Sequence, residues 1–305
     1  MNASFVTDLS SLSAQLAKVG SEEVNGTFKY IPPSNSSSYT SPGFYVLIFN
    51  NTYDIVPIPI ANKSYVLSQP PSFVYIGAQG CPFCALMRWS IAIALSRFGN
   101  FSKLFYDRSA TNDYNVPTFM FNFSKSAFLE SVSAPPIDNA PAGDYPSSHT
   151  PVISGSYYSS PYIQFEPFDE LGTSFLNNET GIEKLNQTIF AKVLVPAVKG
   201  FGIKDFVFGG VPFFDINNQY VFDGAIINVS SAKPYLGDNA TQGQILASIE
   251  NPAEGSIGQT ELGAANLLTA DICMSINNTA PVCKLGYIEE LESKLSALNY
   301  TLEYS

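Results

Sequence analysis

With 305 residues, 45% of them apolar and 13% aromatic, the chain can bury a sizeable core and is globular rather than disordered. Charged residues are only 13%, about half the usual share of roughly 25%. The net charge of −11 has no block of like charges behind it, which argues against a nucleic-acid partner, and the single histidine, His149 in the polar loop "DYPSSHTPV", leaves almost no basis for a histidine-built metal site.

In chain order, residues 5–19 place Phe5, Leu9, Leu12, Leu16 and Val19 at 4-3-4-3 spacing, which predicts an amphipathic helix of about four turns. The stretch "YIPPSNSSSYTSPG" (30–43) is a linker by composition. Residues 1–42 therefore read as a helix and linker ahead of one larger domain, 43–305. That domain opens with strand-like runs "FYVLIFNN", "YDIVPIPI" and "SFVYIGA". A helix apolar on all sides, hence buried, follows from Pro82 to about Arg97. "KLFYD", "TFMFNF" and "YIQFEPF" are further strands. Between the last two, residues 124–161 are rich in Pro, Ser, Gly and Ala and predict a long surface loop. A helical insertion is expected at about 170–205, from the periodicity of Ile182, Leu185, Ile189 and Val193. "FVFGGVPFFDINNQYVFDGAII" reads as two strands around an Asn217–Asn218 turn. Helices are expected near 241–250, 257–275 and 285–302, the last with Ile288, Leu291, Leu295, Leu298 and Leu302 as a stripe packed on the domain. No internal repeat is apparent.

The chemistry concentrates in "FVYIGAQGCPFCALMRWSIAIAL", residues 73–95. A Cys-x-x-Cys that opens a helix places Cys81 at the N-cap, where free backbone N–H groups and the helix dipole stabilise a thiolate. Pro82 suits the first helical position. Cys84, one turn in, is the more buried thiol and sits where it can resolve a mixed disulfide on Cys81. A plain structural disulfide at 81–84 and a four-cysteine zinc site with Cys273 and Cys283 are the competing readings. Cys273 and Cys283 flank "MSINNTAPV" and are expected to form a stapling disulfide. A redox site also wants a cis-proline facing the cysteines. Val211–Pro212, just before the 213–222 hairpin, fits better than Val116–Pro117. Val211, Phe83 and Pro82 are then the expected substrate contacts. Trp89 reads as core, and Arg88 as ion-paired or solvated rather than as a thiolate partner.

Thirteen Asn-x-Ser/Thr sequons are present, where the abundance of 23 Asn and 51 Ser plus Thr would place roughly four. Acceptors such as Asn25, Asn35, Asn62, Asn100, Asn178, Asn239 and Asn277 belong on exposed segments of exported glycoproteins. No signal peptide or membrane span is visible, since no window approaches the 18 apolar residues a span needs. The expectation is an extracellular or cell-surface chain that starts after a removed signal or N-terminal membrane anchor. Scarce Lys and Arg, 15 together, limit self-repulsion in acid and suit an acidic exterior.

Strand–CPFC–helix, a long insert, then "GVP"–hairpin–helix together resemble the thioredoxin superfamily, and the gap between Cys84 and Pro212 resembles DsbA-type members with a helical insertion. More narrowly, "YIGAQGCPFCALMRWSIAIALSRFGNFS", "PTFMF", "SPYIQFEPFDE" and "ANLLTADICMSINNTAPVCK" resemble domain-of-unknown-function family 929 (DUF929), common in thermoacidophilic archaea such as Sulfolobus. Its members often carry an acidic residue two before the first cysteine, where this chain has Gln79. The resemblance implies an α/β thioredoxin-like fold, with a mixed central sheet, flanking helices, a helical insertion and helical extensions at both ends. The expected function is extracytoplasmic thiol–disulfide exchange, with Cys81 as nucleophile, Cys84 resolving and Pro212 with Val211 holding the substrate strand. Its partners would be thiols or disulfides of exported proteins and an unidentified redox partner. No organic cofactor is needed, because the disulfide carries the two electrons. The alternative is a non-catalytic, glycosylated surface protein on the same scaffold.

Overall fold

In the computed structural model the described residues are 46–49, 52–55, 58–59, 71–78, 80–102, 104–111, 113–121, 157–168, 211–227, 240–253 and 256–296. The helices expected at 5–19 and 170–205, the 30–43 linker, and residues 124–156 of the expected loop lie outside them. β-branched and aromatic runs form strands β1 (Val46–Phe49), β2 (Thr52–Ile55), β3 (Ile58–Pro59) and β4 (Ser72–Ile76). Helix α1 (Pro82–Ser96) follows. Then come β5 (Asn100–Phe101), β6 (Phe105–Arg108), β7 (Pro117–Met120), β8 (Tyr158–Ser159) and β9 (Gln164–Phe168). The chain closes with β10 (Phe213–Ile216), β11 (Tyr220–Asp223), helices α2 (Gln242–Glu250) and α3 (Ile257–Ser275), a 3-10 turn at Pro281–Lys284, and α4 (Gly286–Ser296).

The principal sheet is mixed, in the order β3-β11-β10-β4-β9, with flanking helices. β4 and β9 are parallel, and the other pairs are antiparallel. The "YDIVPIPI" run splits into β2 and β3, and Pro59 sits on the edge strand, where a missing N–H is tolerated. β10 and β11 turn at Asn217 and Asn218, both at φ 56°, a left-handed conformation that asparagine accepts readily. The surface loop expected across 124–161 needs a correction at its end. Tyr158 and Ser159 form β8 against β5, because the Tyr158 ring packs on Phe101 at 4.9 Å while its hydroxyl donates to Leu95 O at 2.8 Å.

Helix α1 is buried from Cys84 through Leu95, as its apolar circumference requires. One cluster of buried side chains joins it to β4, β7, β10 and α3 through Trp89, Tyr75, Phe119, Phe214 and Leu268. Polar groups on these elements are tied down in place. Trp89 Nε1 donates to Pro117 O at 3.2 Å, and Thr118 Oγ1 donates to Ala85 O at 2.7 Å. Helix α2 starts with a capping box at Thr241 and Gln244. It meets α3 so closely that a Cβ on Gly258 would fall 1.8 Å from Ser248 O. At the far end, α3 is tied to the 3-10 turn by the Cys273–Cys283 disulfide. Closing ten residues of chain in this way contributes about 3 kcal/mol. Ile288, Leu291 and Leu295 of α4 are buried against the core, whereas Leu298 and Leu302 lie outside the described residues.

α3 also carries two buried carboxyls. Ser90 Oγ donates to Glu261 Oε2, but burial outweighs that bond and pushes the Glu261 carboxyl well above its ordinary value. Asp271 is fully buried, with no hydrogen-bond partner for either oxygen among the described residues, and burial alone pushes it up. Both groups hold a proton in the native state that the unfolded chain would release. Their contribution to stability is therefore full below the ordinary carboxyl range of about 4 and is lost as pH rises through the native values. Asp271→Asn should flatten that decline. Thermal melts should show its Tm raised by a few degrees at neutral pH and little changed in acid, each kcal/mol being worth roughly 2–4 °C in a chain of this size. An equal change at both pH values would mean that the carboxyl's charge is not the cause.

Candidate functional site

Two non-local pairings assemble the site. β10 runs antiparallel beside β4, and Phe213, its first residue, lies opposite Ile76, the last of β4. The segment before β10 is thereby brought to the end of β4 that leads into α1. Cys81 is the N-cap of α1, with φ −78° and ψ 123°, and Pro82 occupies the first turn. The Cys81 sulfur accepts from Cys84 N at 3.2 Å, and its thiol donates to Val211 O at 3.7 Å. Val211–Pro212 is a cis peptide, whereas Val116 is buried and Pro117 begins β7. Cys84 sits one turn deeper, fully buried, and accepts from Ala78 N at 3.4 Å. Both are free thiols. Cys273 and Cys283 are bonded to each other, so they are not available as metal ligands to this pair.

The two thiols differ electrostatically. Cys81 is held below its ordinary value chiefly by the Cys84 thiol donating to it, with help from backbone N–H groups and from Arg88, against the opposing effect of burial. Cys84 is pushed well above its ordinary value, first by burial and then by its coupling to Cys81. One sulfur is thus poised as a nucleophile and the other kept as a thiol behind it.

Arg88, on α1 one turn beyond Cys84, supplies the nearby positive charge. It is completely buried, with Nη2 donating to Ala78 O at 3.1 Å and Nη1 facing Asp107 Oδ2 at 3.5 Å. Of the two fates expected for Arg88, ion pairing holds and solvation does not. Asp107, on β6 and equally buried, is a site residue that the sequence reading missed. A signal was available, because an arginine inside an all-apolar helix can be buried only with an acid beside it, and "FYDR" places one on a nearby strand. Trp89 belongs to the core, with its ring 4.9 Å from Phe119.

Of the expected substrate contacts, Pro82 and Val211 are buried beside Cys81, while Phe83 is 38% exposed. Gln79 lies outside the described residues, as do Asn25, Asn35, Asn62, Asn178 and Asn239. Asn100 and Asn277 are exposed. No helix among the described residues is long and apolar enough to cross a membrane.

Residues 56–134 match the family model described as Domain of unknown function (DUF929), the family that the sequence motifs resemble. The match takes in the dithiol, α1 and Asp107, and stops short of Val211. No curated protein and no solved structure matches the chain.

Two outcomes follow from this geometry. In an alkylation series with iodoacetamide, Cys81 should react first. Its rate should rise with pH and level off below the ordinary thiol value of about 8.5, while Cys84 stays unmodified. Arg88→Gln should move that plateau to higher pH and destabilise the protein by about 3–5 kcal/mol, because Asp107 is left buried without its cation. Adding Asp107→Asn should restore part of the stability but not the plateau. A plateau unmoved in Arg88→Gln would show that Arg88 is purely structural.

Proposed function

We propose that this protein catalyses thiol–disulfide exchange outside the cytoplasm, on a thioredoxin-like scaffold. The observation that carries the reading is the position of Cys81. Its sulfur caps a helix, rests against the carbonyl of a residue preceding a cis-proline, and has a second thiol one turn behind it. The strand order β11-β10-β4-β9, with the dithiol after β4 and the cis-proline before β10, supports the scaffold assignment. Export is supported by the sequon excess, the exposed Asn100 and Asn277, and the Cys273–Cys283 disulfide, which suits an oxidising compartment.

The chemistry needs no group beyond the two sulfurs and a client disulfide. The Cys81 thiolate attacks one sulfur of the client, a mixed disulfide forms, and the other client sulfur leaves as a thiolate that takes up a proton. Cys84 then gives up its proton and attacks the Cys81 sulfur, which releases the second client thiol. The client gains two electrons, and Cys81–Cys84 becomes a disulfide. The same steps in reverse insert a disulfide into a client dithiol. Val211 and Pro212 border the reacting sulfur and are placed to align an extended client strand.

A second reading, a glycosylated surface protein without turnover, draws on the low exposure of Cys81, 6%. The reduction potential of the 81–84 pair, measured by equilibration in thiol buffers with mass spectrometry, separates the two. A value of roughly −120 to −200 mV is expected for a disulfide donor, whereas one below about −300 mV marks a structural staple. Cys81→Ser should abolish exchange, and Cys84→Ser should accumulate a mixed disulfide with a client peptide. Exchange that survives in Cys81→Ser would refute the assignment.

A further inference from the structure

Helix α3 ends in a turn with two consecutive asparagines at positive φ, Asn277 and Asn278, each at 55°. Asparagine accepts this left-handed backbone, and here it closes the helix, with Asn278 N donating to Cys273 O at 2.8 Å. The backbone treats the two residues alike, but their side chains differ. Asn278 is half-buried, and its Nδ2 donates to Glu292 Oε2 on α4 at 2.9 Å. Asn277 is exposed, and it is the one that opens the sequon Asn277-Asn278-Thr279.

That sequon is locked in the native fold. Its third position must be Ser or Thr, so the hydroxyl there is part of what an acceptor site offers. Thr279 Oγ1 instead donates to Ile276 O at 3.1 Å. The turn is held on every side, by the helix-closing bond to Cys273, by Glu292 on α4, and by the Cys273–Cys283 disulfide around it. Hydroxyls of two further sequons are engaged as well. Ser102 Oγ donates to Tyr157 O at 3.1 Å, and Thr241 Oγ1 accepts from Gln244 N as the cap of α2. An enzyme that needs an extended acceptor therefore meets one only before these contacts form.

We propose that Asn277 is an N-glycosylation site that is modified on the unfolded chain, before the Cys273–Cys283 disulfide closes. The donor is a lipid-phosphate-linked oligosaccharide. Asn277 Nδ2 bonds to the anomeric carbon, the bond from that carbon to the phosphate oxygen breaks, and the lipid phosphate leaves as the amide gives up one proton. No electrons are exchanged. The folded position keeps the glycan clear of the dithiol. Asn217, just after β10, donates through Nδ2 to Ser275 O at 2.7 Å, so the end of α3 lies beside the β10–β11 turn. Val211 and Cys81 meet at the opposite end of β10. This inference rests on the export half of the proposed function and not on exchange at Cys81.

The test offers the full chain to a purified oligosaccharyltransferase with a lipid-linked oligosaccharide, either native and oxidised or unfolded by reduction and alkylation. Occupancy of Asn277 is read by mass spectrometry, with an Asn-Ala-Thr peptide as the control for enzyme activity. The unfolded chain should be modified at Asn277 and the native chain should not. Thr279→Ala should abolish modification of the unfolded chain, and Thr279→Ser should retain it. A native chain modified as fast as the unfolded one overturns the proposed order. An unfolded chain bare at Asn277 while the control peptide is modified overturns the site. Fractionation of the source cells separates this inference from the reading beneath it. A cytoplasmic chain refutes export and the inference together, whereas an exported chain bare at Asn277 overturns the inference alone.

Discussion

Helix α1 presents apolar side chains around its whole circumference, so it cannot be left against water on any side. Most of the described architecture follows from covering it. α3 and β7 pack against it, and the same buried cluster continues into the aromatic residues of β4 and β10. Fully burying a side chain of this size contributes about 1.5–3 kcal/mol, so a helix buried from Cys84 through Leu95 accounts for a large share of what opposes chain entropy.

Total burial also dictates how polar residues on α1 are treated. A helix with one wet face would let Arg88 and Ser90 reach water, but here each must find its partner inside. Arg88 takes Asp107 and the Ala78 carbonyl, and Ser90 takes Glu261. These bonds link α1 to β6 and α3 at the depth of the dithiol, so the positive charge that favours the Cys81 thiolate is part of the packing rather than an ornament on the surface. Asp271 marks the limit of this scheme, a buried carboxyl that stays protonated because nothing among the described residues bonds to it. The same shortage of water raises Cys84 and two carboxyls through desolvation, whereas at Cys81 the bond from the Cys84 thiol, with help from Arg88, outweighs it.

Much of the site was legible because its parts are close in sequence. Cys81 at the N-cap, Pro82 in the first turn and Cys84 one turn on depend on helix geometry alone, and so does the burial order of the two sulfurs. The Asn217–Asn218 turn was readable for a similar reason, since the residues that prefer a left-handed backbone sit where the hairpin reverses. Cys273 and Cys283 pair across ten residues, a separation short enough for the motif to suggest it. Asp107 was missed because a lone acid on a strand looks like surface until the strand is known to lie under an arginine. The turn at Tyr114 and Asn115 escaped because nothing in "TNDYNVP" says that the tyrosine would join the asparagine after it at a positive φ.

The sequence by itself determined which residues could carry the chemistry, since the Cys-x-x-Cys spacing, the proline that opens the helix and the apolar helix behind it are local patterns that the backbone period enforces. Only the tertiary structure decided what faces Cys81. The carbonyl of Val211 arrives through the register of β10 against β4, 130 residues along the chain. The cation below is fixed by a strand-to-helix ion pair, and the residue before Cys81 is tied by Ala110 N to the loop between β6 and β7. These contacts depend on strand order and register, which are settled by the simultaneous burial of several elements and so leave no periodic trace in any one stretch of sequence.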